Sequence, residues 1–205
     1  MAMTPRERSL KRAKLMKRLA EDLDAVRAQR LFNTAGALRA LSELGLSDGL
    51  WSELRQLLVE IARIPQREPI FPRVRRFDSI SNSLLWASLA LSLTSLLSLA
   101  LLRGSEVLVF IFMVSALVLL NVAYALKLYV LAKLRWIYSK HIDEIRSRDD
   151  LLRRAVDQLL ARMRGELRKA GVEPSSVTFK MYSGDYSQLR VVKRGRGGMY
   201  VLAFR

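Results

Sequence analysis

The 205-residue chain contains no cysteine, which excludes a disulfide framework, a thiolate nucleophile and thiolate metal ligands. A single histidine, His141, leaves little for imidazole metal sites or His-based general-base chemistry. Its sequence neighbours Asp143 and Glu144 point elsewhere on a helix, and Asp149-Asp150 read as solvated or capping carboxylates. Asparagine and glutamine are scarce, a bias shared with heat-adapted proteins. The glycines of Lys193-Arg194-Gly195-Arg196-Gly197-Gly198 lack the strand-to-helix setting that a phosphate-cradling loop needs. These absences leave no catalytic, metal or cofactor set, and the chain is expected not to be an enzyme.

Charge is also missing from two long stretches. Residues 79–102 and 107–126 hold no Asp, Glu, Lys or Arg and are separated by only Arg103-Gly104-Ser105-Glu106. A helix rises about 1.5 Å per residue, so roughly 20 apolar residues cross a hydrocarbon layer of about 30 Å. Each stretch meets that length, and the link is too short for a domain. The expectation is a transmembrane helical hairpin over 79–126. Gly104 suits a left-handed helix stop, with Arg103 completing the preceding helix end. Ser105 suits an N-cap, and Glu106 the first turn of the next helix. With 78 residues of charge-rich sequence before it, the first stretch does not read as a cleaved leader.

What the chain does have is positive charge, +16 in all. Residues 1–78 carry 16 basic and 10 acidic side chains, and residues 127–205 carry 18 and 8, so the excess flanks the hairpin on both sides. The positive-inside bias then places both termini in the cytoplasm at the cell membrane. Trp86, Tyr124, Tyr129, Trp136 and Tyr138 read as an interfacial belt. Arg73, Arg75, Arg76, Lys127, Lys133 and Arg135 lie where they would meet anionic lipid head groups.

Within the hairpin, Ser81, Ser88 and Ser95 recur every seven residues with Ser92 beside them, a stripe that allows close helix approach. A turn centred on Gly104-Ser105 would put Asn121 opposite Ser88 and Ser115 near Ser95, making both of them packing partners. A polar lining in an oligomer is the functional alternative for Asn121.

Residues 1–64 read as amphipathic helices. Thr4-Pro5-Arg6-Glu7 is a capping box ahead of the stripe Leu10, Ala13, Met16, Leu19, Leu23 and Val26. That basic helix suits either a membrane surface or a small bundle. Further helices are expected over about 34–44, stopping at Gly45, and 47–64. Residues 65–78, with three prolines, read as an extended juxtamembrane linker. A helical extension over 127–171 follows the hairpin, either continuous through Asp149-Asp150 or restarting there, with a thin coiled-coil pattern near 134–145. Residues 172–205 contain three β-prone runs and predict an antiparallel meander packed on the helix of residues 150–170.

The fold class is therefore an integral membrane, mainly α protein with a small C-terminal α+β unit. Its partners are expected to be anionic lipids and either copies of itself or other subunits of a membrane complex. Lys193, Arg194 and Arg196 are the candidate contacts to a partner or nucleic acid, with Tyr182, Tyr186 and Tyr200 as stacking surfaces. The function that fits is a membrane-anchored assembly or adaptor protein; the alternative is a channel or transporter subunit.

Overall fold

The computed structural model describes residues 4–30, 33–47, 49–101 and 106–205, and within these the chain forms two compact units. Unit 1 joins the two ends, Met1–Arg63 and His141–Arg205, and unit 2 is the middle, Ile64–Lys140. The N-terminal helices and the C-terminal β unit are thus parts of one body, not separate regions.

In unit 1, α1 (Pro5–Arg27) starts at the expected capping box: the Thr4 amide donates to Glu7 at 2.8 Å and the Glu7 amide to the Thr4 hydroxyl at 3.3 Å. Its apolar stripe is buried in the unit's core from Ala13 to Val26. Helix α2 (Thr34–Leu44) ends at Gly45, whose φ of 65° closes it in the left-handed conformation. Helix α3 (Leu50–Arg63) buries Trp51, Leu54, Leu57, Leu58 and Ile61. After unit 2, the short α6 (Ile142–Arg146) precedes α7 (Asp149–Lys169), which restarts at the two aspartates and buries Leu152, Val156, Leu159, Leu160, Met163 and Leu167. Helix α1 packs along α7, α2 packs on α1 and α3, and α3 also touches α7.

The three strands fall where expected: β1 (Thr178–Met181), β2 (Leu189–Arg194) and β3 (Tyr200–Phe204). Their order is β1-β3-β2, so the sheet is not a meander. The last strand lies in the middle and pairs antiparallel with both others. Phe179 and Phe204 meet edge-to-face at 5.2 Å between centroids, beneath a sheet whose β1 touches α1.

The reason for that order lies in α1. Asp24, fully buried, accepts from the Tyr182 amide, from the Ser183 amide at 3.2 Å and from the Tyr186 hydroxyl at 2.7 Å. These bonds pin the segment after β1 to the helix and carry it away from β1 before β2 begins. One turn on, Arg27 forks onto Asp149 (2.7 and 3.0 Å) and Asp185 (2.6 and 2.7 Å), tying the start of α7 to the same segment.

Burial pushes the Asp24 carboxyl above its ordinary range, against the pull of its donors. The Arg27 bonds hold Asp185 below its ordinary range. The two groups act in opposite directions. Asp185 contributes stability that is present above its unfolded pKa and is lost as pH falls through its lowered folded value. Asp24 contributes most when protonated, and that contribution fades as pH rises through its raised value. Denaturation of unit 1 followed against pH is therefore expected to show a shallower acid limb for Asp185→Asn and a steeper one for Asp24→Asn. Parallel acid limbs in all three proteins would refute the assignment.

Unit 2 departs from expectation at residues 65–78, which are mostly helical with a turn over 68–70, not extended. A 3-10 turn spans Ile64–Arg67, and α4 runs Phe71–Leu101. The prolines sit where helices tolerate them: Pro65 early in the short turn, Pro69 ahead of α4, and Pro72 second in α4, where a missing N–H leaves no bond unmade. Helix α5 runs Glu106–Lys140 and breaks before α6, so the region near 134–145 is not one coiled-coil helix. The expected roles of Arg103, Gly104 and Ser105 lie outside the described residues.

Candidate functional site

The most distinctive surface is the pair α4 and α5. The two helices pack side by side, and each is long and apolar enough to cross a membrane. Their seam repeats every seven residues. Val74, Ser81, Ser88 and Ser95 are buried on α4; Val109, Ala116, Ala123, Val130 and Ile137 are buried on α5. Because an α-helix turns every 3.6 residues, a strict step of seven drifts about 20° per repeat and wraps the helices into a left-handed pair.

The serines do more than leave room. Ser81 donates its hydroxyl to the Ala123 carbonyl at 2.9 Å, Ser88 to Ala116 at 2.9 Å and Ser95 to Val109 at 3.3 Å. Each step of seven along α4 is matched by a step of seven back along α5. Such bonds between membrane helices average about 0.6 kcal/mol each, and their greater effect is to specify register. Ser92 lies beside the seam but donates to Ser88 on its own helix.

This register corrects the one expected from the turn. Ser88 faces Ala116, not Asn121, because small residues that allow contact set the alignment rather than the midpoint of the connecting residues. Asn121 is exposed and donates its Nδ2 to Leu117 of its own helix at 2.8 Å. Ser115 is half-buried beside the seam residue Ala116, and no serine of α4 bonds to it among the described residues.

Outside the seam the hairpin is apolar. Trp86 is 71% exposed, Phe110 67% and Tyr124 61%, and most other large exposed apolar side chains of the protein also lie on these helices. An open apolar groove of about 500 Å³ runs along one face, with Ser88, Ser92, Phe110, Val114 and Leu117 among its walls. Contiguous exposed apolar surface of this kind marks a place where protein or lipid is bound. Tyr138, by contrast, is buried and does not belong to the exposed aromatic set.

The described Lys and Arg side chains of unit 2 all lie toward its open end. Arg73, Arg75 and Arg76 are exposed on the first turns of α4. On α5, Arg135 is exposed, and Lys133 lies over the rings of Tyr129 and Trp136 at 5.8 and 5.3 Å. Lys127 is engaged: its Nζ meets Asp78 at 2.6 Å and Asn82 at 3.0 Å, tying α5 to α4. Lys140 sits 4.0 Å above the Trp136 ring and 3.1 Å from Glu68.

The remaining candidates belong to unit 1. Lys193, Arg194 and Arg196 lie at the exposed β2–β3 turn. Of the tyrosines, Tyr186 is buried against Asp24 and cannot stack on a base; Tyr182 and Tyr200 are half-buried. His141 Nδ1 lies 3.4 Å from Glu144. Among the described residues no cluster of three or more His, Asp or Glu could hold a metal ion. The Asp24–Arg27 node was not foreseen from sequence; its one signal was a charged residue interrupting a run of buried apolar positions.

Comparison of the chain with family models, with curated proteins and with solved structures finds no match.

If the seam sets the hairpin, a bulky residue within it separates the helices, whereas one outside it does not. Ser88→Leu is expected to lower the thermal midpoint of the detergent-solubilised protein and weaken a Ser95→Cys/Val109→Cys crosslink. Asn121→Leu is expected to leave that crosslink unchanged. Equal effects of the two substitutions on the crosslink would contradict the observed register.

Proposed function

We propose that the chain is a non-enzymatic, membrane-anchored assembly or adaptor protein. In this reading α4 and α5 cross the bilayer as a hairpin, while unit 1 remains on the cytoplasmic side and offers basic surfaces to anionic lipid or an acidic partner. One observation carries the reading: unit 1 is built from both flanks of the hairpin, with α1 packed along α7. A chain whose two flanks share one core must cross a membrane an even number of times, and two apolar helices supply two crossings. The inward serines and outward apolar faces of the hairpin support the same reading, since hydrocarbon offers no hydrogen-bond partners. The location of Lys and Arg at the open end supports the cytoplasmic orientation.

A second feature supports self-association as part of that role. Asn121 continues the exposed α5 stripe Phe110, Val114 and Leu117 at spacings of four and three, and its amide oxygen meets no donor among the described residues. An amide in lipid is best satisfied by another amide, and a single Asn on a heptad stripe specifies partner and register. A second copy would offer the same group across a two-fold axis. No charged side chain accompanies it among the described residues of the apolar segment, which favours pairing over an ion pathway.

The natural absence of thiols makes sidedness measurable. An impermeant maleimide applied outside intact cells is expected to label Ser105→Cys and to spare Ser42→Cys and Ser175→Cys until the membrane is opened. Labelling of 42 or 175 in intact cells, or recovery of the protein in the detergent-free soluble fraction, would defeat the anchoring proposal. For self-association, Asn121→Leu is expected to abolish a dimer trapped by amine crosslinking in mild detergent; an unchanged dimer would exclude Asn121 as its contact.

A further inference from the structure

We propose that the β2–β3 hairpin of unit 1 is a second membrane contact, a basic finger that engages the anionic lipid surface with two valines among its cations. This rests on the anchoring reading above, which brings unit 1 close to a bilayer.

The finger begins where burial stops. Leu189 is the last core residue of β2, and residues 190–198 are exposed without interruption. Both faces of the strand are therefore open from Arg190 onward. The register between β2 and β3 slips between Val191 and Lys193, so Val192 has no partner on β3. Such a bulge bends the strand and turns its side chains outward. Val191 and Val192 are 48% and 57% exposed, the only large apolar side chains outside the hairpin helices to be so among the described residues.

The tip is held by backbone geometry. Gly195 donates to the Met199 carbonyl at 2.7 Å, and Gly197 and Gly198 take φ values of 71° and 80°. Two successive left-handed residues favour glycine, and the resulting tight tip carries little but backbone and cations. The Arg30 guanidinium lies beside Gly198. Arg30, Arg190, Lys193, Arg194 and Arg196 thus gather on one projection. None of them pairs with an acidic side chain among the described residues, and no Asp or Glu occurs after Asp185 in the sequence.

Charge complementarity selects the partner. Five unpaired cations call for a polyanion, and an edge strand with a bulge and flanking charges is poorly suited to receive another strand. Single-stranded nucleic acid would call for exposed rings on this surface, but Tyr200 is half-buried with Arg194 lying over it at 6.0 Å. Two adjacent exposed valines have no use against a phosphate backbone. Against a bilayer they do: cations meet head-group phosphates and carboxylates while short apolar side chains enter the acyl boundary.

The test uses the full chain reconstituted in vesicles of phosphatidylcholine alone or with phosphatidylserine. A polarity-sensitive dye is attached at Val192→Cys, or in a parallel sample at Leu93→Cys on α4. The Val192 probe is expected to shift to the blue and to be quenched by brominated acyl chains only with phosphatidylserine. High salt is expected to reverse this, and each of Lys193→Gln, Arg194→Gln and Arg196→Gln to lower the ratio of bound to free finger about fivefold. Quenching of the Leu93 probe in both vesicles with a Val192 probe in water throughout would overturn the finger while leaving the hairpin anchored. A Leu93 probe in water would defeat the anchoring itself. A Val192 probe that answers single-stranded oligonucleotide but not phosphatidylserine would reassign the surface to nucleic acid and overturn the lipid contact.

Discussion

Close approach of two backbones is the constraint on which unit 2 depends. Two apolar helices can slide and rotate against one another with little change in contact, because one aliphatic surface resembles another. The seam of α4 and α5 removes that freedom. Its serines and alanines let the backbones near enough for a hydroxyl on one helix to reach a carbonyl on the other, and Ser81, Ser88 and Ser95 can do so together only in one alignment. Large side chains are then displaced to the outer surface, so the same fact that fixes the register also produces the continuous apolar exterior. The Lys127–Asp78 bridge closes the open end but, being partly exposed, adds less to stability than to alignment.

Unit 1 depends on a different device, a buried carboxylate. Asp24 would be costly in a dry core without donors, and its three donors all come from the segment following β1. That segment has no choice of path once Asp24 is buried. Arg27 then binds it to the start of α7, so one turn of α1 organises the sheet order and the helix restart at Asp149.

Much of the secondary structure was legible because it is local. The Thr4–Glu7 box, Gly45 and the aspartates at 149 and 150 each mark a helix end with short-range chemistry, and alternating β-branched and aromatic residues mark the strands. Residues 65–78 were misread because prolines weigh heavily in a linear reading. Whether each one interrupts a helix depends on its position relative to the helix start, which only the folded turn supplies. The hairpin register was misread for a similar reason: a turn midpoint is local, whereas the seam is a sum over both helices. The sheet order was hidden because it follows from Asp24 meeting residues some 158 positions away. Of the candidate residues, the seam serines were found by their period, while the outward direction of Asn121 required the alignment. The unpaired state of the cations at 193–196 required the fold.

The interleaving of the two units also sets an order of events during synthesis. Helices α1 to α3 emerge from the ribosome first, yet the surface they need, α7 and the sheet, is encoded in the last third of the chain. Until α7 is made, α1 lacks the helix along which its apolar stripe packs. A chain cut short before α7 would leave the stripe of α1 without that partner, an unfinished core with an apolar face open to non-native contacts.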